Sequence, residues 1–230
     1  MSPVAAGRAC DPPRRVVRSM ATNKKKSGKA TAKRRAQTTG GFTVAGMQEQ
    51  DAAAVIELLQ DRLNALTDLA LTLKHIHWNV VGPQFIAVHK MLDPQYEAVS
   101  EMVDETAERI ATLGGSPQGT PGALVRSRTW DDYSIGRADA ISHMAALDLV
   151  YSGVVAAHRE AIDATEKPDP VTQDMLIGQS AQLEQFQWFV RAHLEDAGGG
   201  LANAGAESEE EAAASVTSGS DGKVQASTSS

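Results

Sequence analysis

Two histidines, His77 and His89, and three carboxylates, Asp93, Asp104 and Glu108, stand close together in the chain. His89 with Asp93, and Asp104 with Glu108, have the i, i+4 spacing that lets two side chains of one helix reach the same point. On a helix these four project at about 0°, 40°, 60° and 100° around the axis, so they share a face. A polar stripe on a long helix is ordinarily its solvated side, but imidazole combined with carboxylate is a ligand set suited to iron. His77 falls on an apolar stripe, four residues after Leu73, where a lone histidine would ordinarily be a core residue with one hydrogen-bond partner. Asp93 and Asp104 are separated by about 16 Å along a helix axis, so one chain cannot bring both pairs to one ion. A twofold-related copy with its second helix antiparallel would set Asp104 and Glu108 of one chain opposite His77, His89 and Asp93 of the other, giving two sites per interface. A di-iron site within one bundle would instead use Glu-x-x-His on each of two helices, and no glutamate in this chain has a histidine three residues later.

Long helices must position these residues. Between Asp51 and Trp78 there is no proline or glycine, and Val55, Leu59, Leu63, Leu66, Ala70 and Leu73 recur at steps of three and four, which predicts a first helix. Ile56, Leu58, Leu69, Leu71 and Ile76 widen its apolar stripe and imply burial on two sides, as an oligomer would provide. After Gly82 and Pro83, a second helix is expected over 85–113. Gly114, Gly115 and Pro117 end it. A third is expected over 137–165, stopped by Pro168 and Pro170, and a fourth over 171–196. Residues 114–136 form a connection far longer than ordinary helix-to-helix loops. The expected class is all-α: a four-helix bundle with one long crossover between helices 2 and 3, a short helix within it, and the ferritin-like arrangement that one long crossover produces.

The net charge of −7 conceals an asymmetry, since residues 1–41 carry eleven Lys and Arg against one acid, Asp11. Lys24, Lys25, Lys26, Lys29, Lys33, Arg34 and Arg35 lie among Ser, Thr, Ala and Gly, too little apolar surface to fold. The expected organisation is a disordered basic arm over 1–45, the bundle over 46–197 and a disordered, weakly acidic tail over 198–230. The arm has the composition of a sequence-independent tether for duplex DNA, in which cations displace condensed counterions. One cysteine, Cys10, excludes an intramolecular disulfide. No apolar run is read as long enough to span a bilayer and no leader as present, so the expected setting is cytoplasmic, nucleoid-associated and without a membrane partner.

The run from Lys74 to Val80, His-Ile-His-Trp-Asn within it, followed by Gly82, Phe85, His89, Met91, Leu92 and Asp93 and then Asp104, Glu108 and Arg109, resembles the signature of the Dps family. The resemblance covers about residues 46–197, and the stretches 128–134 and 186–194 are similar to its actinobacterial, mycobacterial-type branch. It implies a hollow homo-dodecamer built from twofold dimers, with two-iron ferroxidase centres shared between subunits. There Fe(II) is oxidised, preferably by hydrogen peroxide, and stored as ferric mineral, which protects DNA. By position, His77, His89 and Asp93 would come from one subunit, and Glu108, with Asp104 as ligand or neighbour, from the next. Trp78 resembles a tryptophan that quenches radical by-products, its other reading being a core aromatic, and Asp174 an acid lining an iron-entry pore, its other reading being an acid at a solvated helix N-terminus. An acidic C-terminal tail departs from the basic one used by mycobacterial-type relatives. The alternative is a nucleoid architectural protein with little ferroxidase activity.

Overall fold

The computed structural model describes residues 42–218. The basic arm from Lys24 to Arg35, and every expectation placed on it, lies outside the described residues. The order is α1 (Glu49–Asn79), β1 (Val80–Val81), α2 (Phe85–Thr112), α3 (Pro121–Ser127), β2 (Ala138–Asp139), α4 (Ala140–Thr165), α5 (Pro170–Arg191) and α6 (Glu209–Ser218). The four long helices, the crossover and its short helix are those expected.

Local chemistry sets the boundaries. Glu49 and Asp51 occupy the first turn of α1, where acids complement the helix dipole. Gly82, at φ +93°, supplies the left-handed turn into α2. Proline opens both α3 and α5, its missing N–H costing nothing at a first helical position. The third long helix starts later than expected, because Ala138 and Asp139 are taken up by a two-residue parallel ladder, Val80 against Ala138 and Val81 against Asp139. Asp139 then caps α4 by accepting from the Ser142 N–H at 2.8 Å. This ladder ties the end of α1 to the start of α4, and it was invisible in the sequence because two residues are too few for a strand pattern. The fourth helix ends at Arg191, five residues before Asp196.

Helix α1 packs chiefly on α2, and α4 on α5 and α6. Leu66, Leu69, Leu73, Val88, Leu92, Met144, Leu147, Tyr151 and Leu183 form the main core. A second cluster of Val55, Leu59, Leu63, Ile110, Leu113 and Leu176 fills the other end. Helix α4 is long and apolar enough to cross a membrane, contrary to the sequence expectation. Its composition reflects its place between neighbours instead: 61% of that apolar window is buried inside the protein.

The segment read as structureless from Gly198 onward differs most. Residues 209–218 form α6, with Ala212 fully buried and Val216 packed against the core. Ser208 Oγ accepts from the Glu211 N–H at 3.2 Å, and the Glu211 carboxylate accepts from the Glu207 N–H at 3.0 Å, a reciprocal helix start. Asn203 Nδ2 donates to the Ala145 carbonyl and to Asp148 Oδ2, each at 3.1 Å. Asp148 Oδ1 also accepts from Gln187 Nε2 at 2.8 Å and Arg191 Nε at 2.7 Å. One buried carboxylate therefore joins α4, α5 and the C-terminal segment.

Candidate metal centre

The last turn of α1 and the first turns of α2 bring His77 and His89 face to face. Their rings stack at 3.6 Å with 24° between planes. Each Nδ1 lies 2.9 Å from the other residue's main-chain carbonyl. A carbonyl only accepts, so each Nδ1 carries a proton, and the nitrogen left to coordinate a metal is Nε2. This exchange fixes both tautomers and both ring planes, as partners behind a metal ligand do. Phe85 lies against His89 at 4.9 Å.

Asp93, one turn after His89, places Oδ1 3.3 Å from His77 Nδ1 and 2.7 Å from Lys74 Nζ. The hydrogen bond from Lys74, aided by its ammonium charge, holds this carboxyl below the usual carboxylate range. Lys74 also sits 4.6 Å over the Tyr96 ring. Spacing did not single out Lys74 as Asp93's partner; its position one turn before His77 on the same helix was the available signal.

Asp104 and Glu108 are exposed on the same unbroken helix, about 16 and 22 Å of axial rise beyond Asp93. Among the described residues of one chain, no three or more His, Cys, Asp or Glu side chains converge as a metal cage. The structure thus unites His77, His89 and Asp93 and leaves Asp104 and Glu108 apart, as spacing required. Next to Glu108, Arg109 anchors α2 to the start of α5, donating to both Asp169 oxygens at 2.9 and 2.7 Å and to Thr172 Oγ1 at 2.9 Å. Burial pushes the Asp169 carboxyl up, but hydrogen bonds from Thr172 and Arg109 pull it below its usual range.

Around the histidines the subunit shows apolar surface: Trp78 is 74% exposed, Ile86 55% and Phe85 38%. Trp78 is therefore not a core aromatic of the subunit. Asp174, in the second turn of α5, lines a surface depression with Glu101 and Glu105 of α2. Of the remaining histidines, His143 and His158 are fully buried, His75 Nε2 meets the Ile135 carbonyl at 2.9 Å, and His193 Nδ1 meets the Phe189 carbonyl at 2.8 Å.

Residues 56–198 match the model of the family described as ferritin-like domain. A DNA protection during starvation protein of Mycolicibacterium smegmatis is 56% identical over 172 residues, spanning 75% of this chain and 94% of that protein. Among solved structures, the tetragonal form of Mycobacterium smegmatis Dps is 57% identical with a TM-score of 0.71, covering 72% of this chain and 99% of that one. DpsA14 from Streptomyces coelicolor is 63% identical with a TM-score of 0.70, covering 71% and 98%. With this fold, this histidine pair and these relatives, the chain belongs to the ferritin-like domain family as a member of its Dps branch.

Proposed function

We propose that this protein oxidises Fe(II) at centres completed by two subunits, stores the ferric product inside a hollow dodecamer and thereby protects DNA. The observation carrying this reading is the His77–His89 pair, whose tautomers leave two Nε2 lone pairs as imidazole ligands. Asp93 adds an anionic oxygen beside them. Asp104 and Glu108 of a twofold partner would supply the remaining oxygens, and the apolar rim of Trp78, Phe85 and Ile86 would be covered by that partner. Iron is the substrate. Two Fe(II) give one electron each to hydrogen peroxide, which leaves as two hydroxides, so no hydroxyl radical escapes. Trp78, beside His77, is placed to intercept stray oxidising equivalents, and Asp174 with Glu101 and Glu105 would attract incoming cations.

DNA attachment would reside in the arm carrying Lys24, Lys25, Lys26, Lys29, Lys33, Arg34 and Arg35, making it non-specific, cytoplasmic and nucleoid-associated.

Anaerobic addition of Fe(II) and then peroxide to the purified protein, beside a His77→Ala, Glu108→Ala variant, tests the chemistry by ferric absorbance and iron retained on the particle. Fast oxidation with retention, lost in the variant, is expected. Equal slow rates in both would overturn the reading and leave DNA architecture as the function.

A further inference from the structure

The chain has three tyrosines, and their hydroxyl partners differ in a way that decides which can lose an electron. Tyr151 donates to the Gln95 amide oxygen at 2.7 Å, which is not a base. The Tyr96 ring carries the Lys74 ammonium over its face, which opposes removal of an electron. Tyr133 Oη instead lies 3.1 Å from Nδ1 of His143, an imidazole with no exposed surface. The rings are close to parallel, 15° apart with centroids at 6.1 Å.

Burial, with His75 nearby, brings His143 down to about 4, so at neutral pH it is an uncharged base. Burial and the Glu209 carboxylate push the Tyr133 phenol up, so it remains protonated and donates to Nδ1. A backbone hydrogen bond with Asn79 opposes the His143 shift without cancelling it. Losing an electron while the proton stays within the pair leaves one positive charge on it, and Glu209, held by the Ser134 N–H at 2.6 Å, faces that charge. On its other side Tyr133 meets the edge of His75 at 5.7 Å. His75 is on α1 two residues before His77, about 3 Å of rise and about 200° of rotation away, so the two imidazoles leave opposite faces of the same helix. Tyr133 also borders a cavity of about 620 Å³ shared by α1, α4 and the α6 segment.

We propose that Tyr133 and His143 form a reservoir for one oxidising equivalent, exchanging its electron with the iron centre across α1. The proposal rests on the ferroxidase reading above. A centre holding a single Fe(II) gives peroxide one electron and Tyr133 gives the second. The phenolic proton passes to His143 Nδ1, and the products are Fe(III), two hydroxides, a neutral phenoxyl radical and an imidazolium. A second Fe(II) then reduces the phenoxyl, the proton returns from His143, and the sum is two Fe(III) and two hydroxides per peroxide. A half-loaded centre thus completes a two-electron reduction without freeing hydroxyl radical.

The full-length assembly is mixed with Fe(II) below one per subunit and excess peroxide, freeze-quenched and read by electron paramagnetic resonance, with and without ring-deuterated tyrosine. Expected is a tyrosyl signal that narrows on deuteration, is lost in Tyr133→Phe and is kept in Tyr151→Phe, with more spin-trapped hydroxyl radical from Tyr133→Phe. A signal of unchanged intensity in Tyr133→Phe would overturn the proposal. So would Fe(II) consumption without a tyrosyl signal and with equal trapping in both proteins. A photogenerated ruthenium oxidant, which needs no iron, separates failure of the ferroxidase reading: the proposal requires that Tyr133→Phe still remove the phenoxyl radical, and equal phenoxyl yields from wild type and Tyr133→Phe would contradict it.

Discussion

His77 and His89 illustrate how a main-chain acceptor decides side-chain chemistry. Each imidazole is turned by the other's carbonyl, so the nitrogen left free to coordinate is selected by the fold. The two fully buried histidines carry a different consequence. Burial and the charge of Arg62 bring His158 down to about 4, and burial with His75 does the same to His143. An unfolded histidine titrates near 6.5, so as pH falls below that value the unfolded chain takes up protons that the folded one refuses. Stability is complete above about 6.5 and is lost as pH approaches 4. Between pH 7 and 5 each residue should cost about 2 kcal/mol. Urea unfolding at the two pH values should show a smaller loss in His158→Gln than in wild type, by about one histidine's share, and an identical loss would remove His158 as a cause. The five ligand candidates were legible in the sequence because type and spacing both pointed the same way. The exchanged carbonyl bonds and Lys74 were not, since they depend on how two helices meet.

At the scale of elements, unbroken helices were readable from apolar periodicity, glycine and proline, and the crossover from its length. The C-terminal segment was misread because Gly198, Gly199 and Gly200, followed by Ser and Glu, have the composition of a tail. What orders it is specific: the Ser208-to-Glu211 helix start, Ala212 against α4, and Asn203 bonded to buried Asp148. The Ser-x-x-Glu spacing was the signal available in the sequence. Asp148 meets Gln187, Arg191 and Asn203 together, so its removal takes a hydrogen bond from each of the three and the carboxylate from beside Arg191. Asp148→Ala should destabilise the subunit by about 2 kcal/mol, the worth of hydrogen bonds to a charged group, and Asn203→Ala by about 1 kcal/mol. Limited proteolysis should release 209–218 sooner in both. Unchanged cleavage and unchanged unfolding would mean that this network does not hold α6.

Over the whole molecule, charge is divided between an arm of net +10 over residues 1–41 and an acidic remainder. In the proposed dodecamer, a body that repels phosphates would leave the arm as the source of attraction, multiplied by the twelve arms on one particle. Deleting 1–41 should abolish retardation of duplex DNA in a gel, and retardation by the intact protein should fall steeply with added salt. Undiminished retardation by the deletion would place the contact on the folded body. The proposed centre requires assembly, because Asp104 and Glu108 lie about 16 and 22 Å of axial rise beyond Asp93 on the same chain.

Mixing subunits tests that division most directly. A His77→Ala, His89→Ala chain and an Asp104→Ala, Glu108→Ala chain should each be inactive alone in peroxide-dependent Fe(II) oxidation. Co-assembled in equal amounts, half of the dimers pair unlike chains and each of these holds one intact site of two, so about a quarter of wild-type activity should return. No recovery in correctly assembled mixed particles, or substantial activity in either chain alone, would contradict a centre shared between subunits.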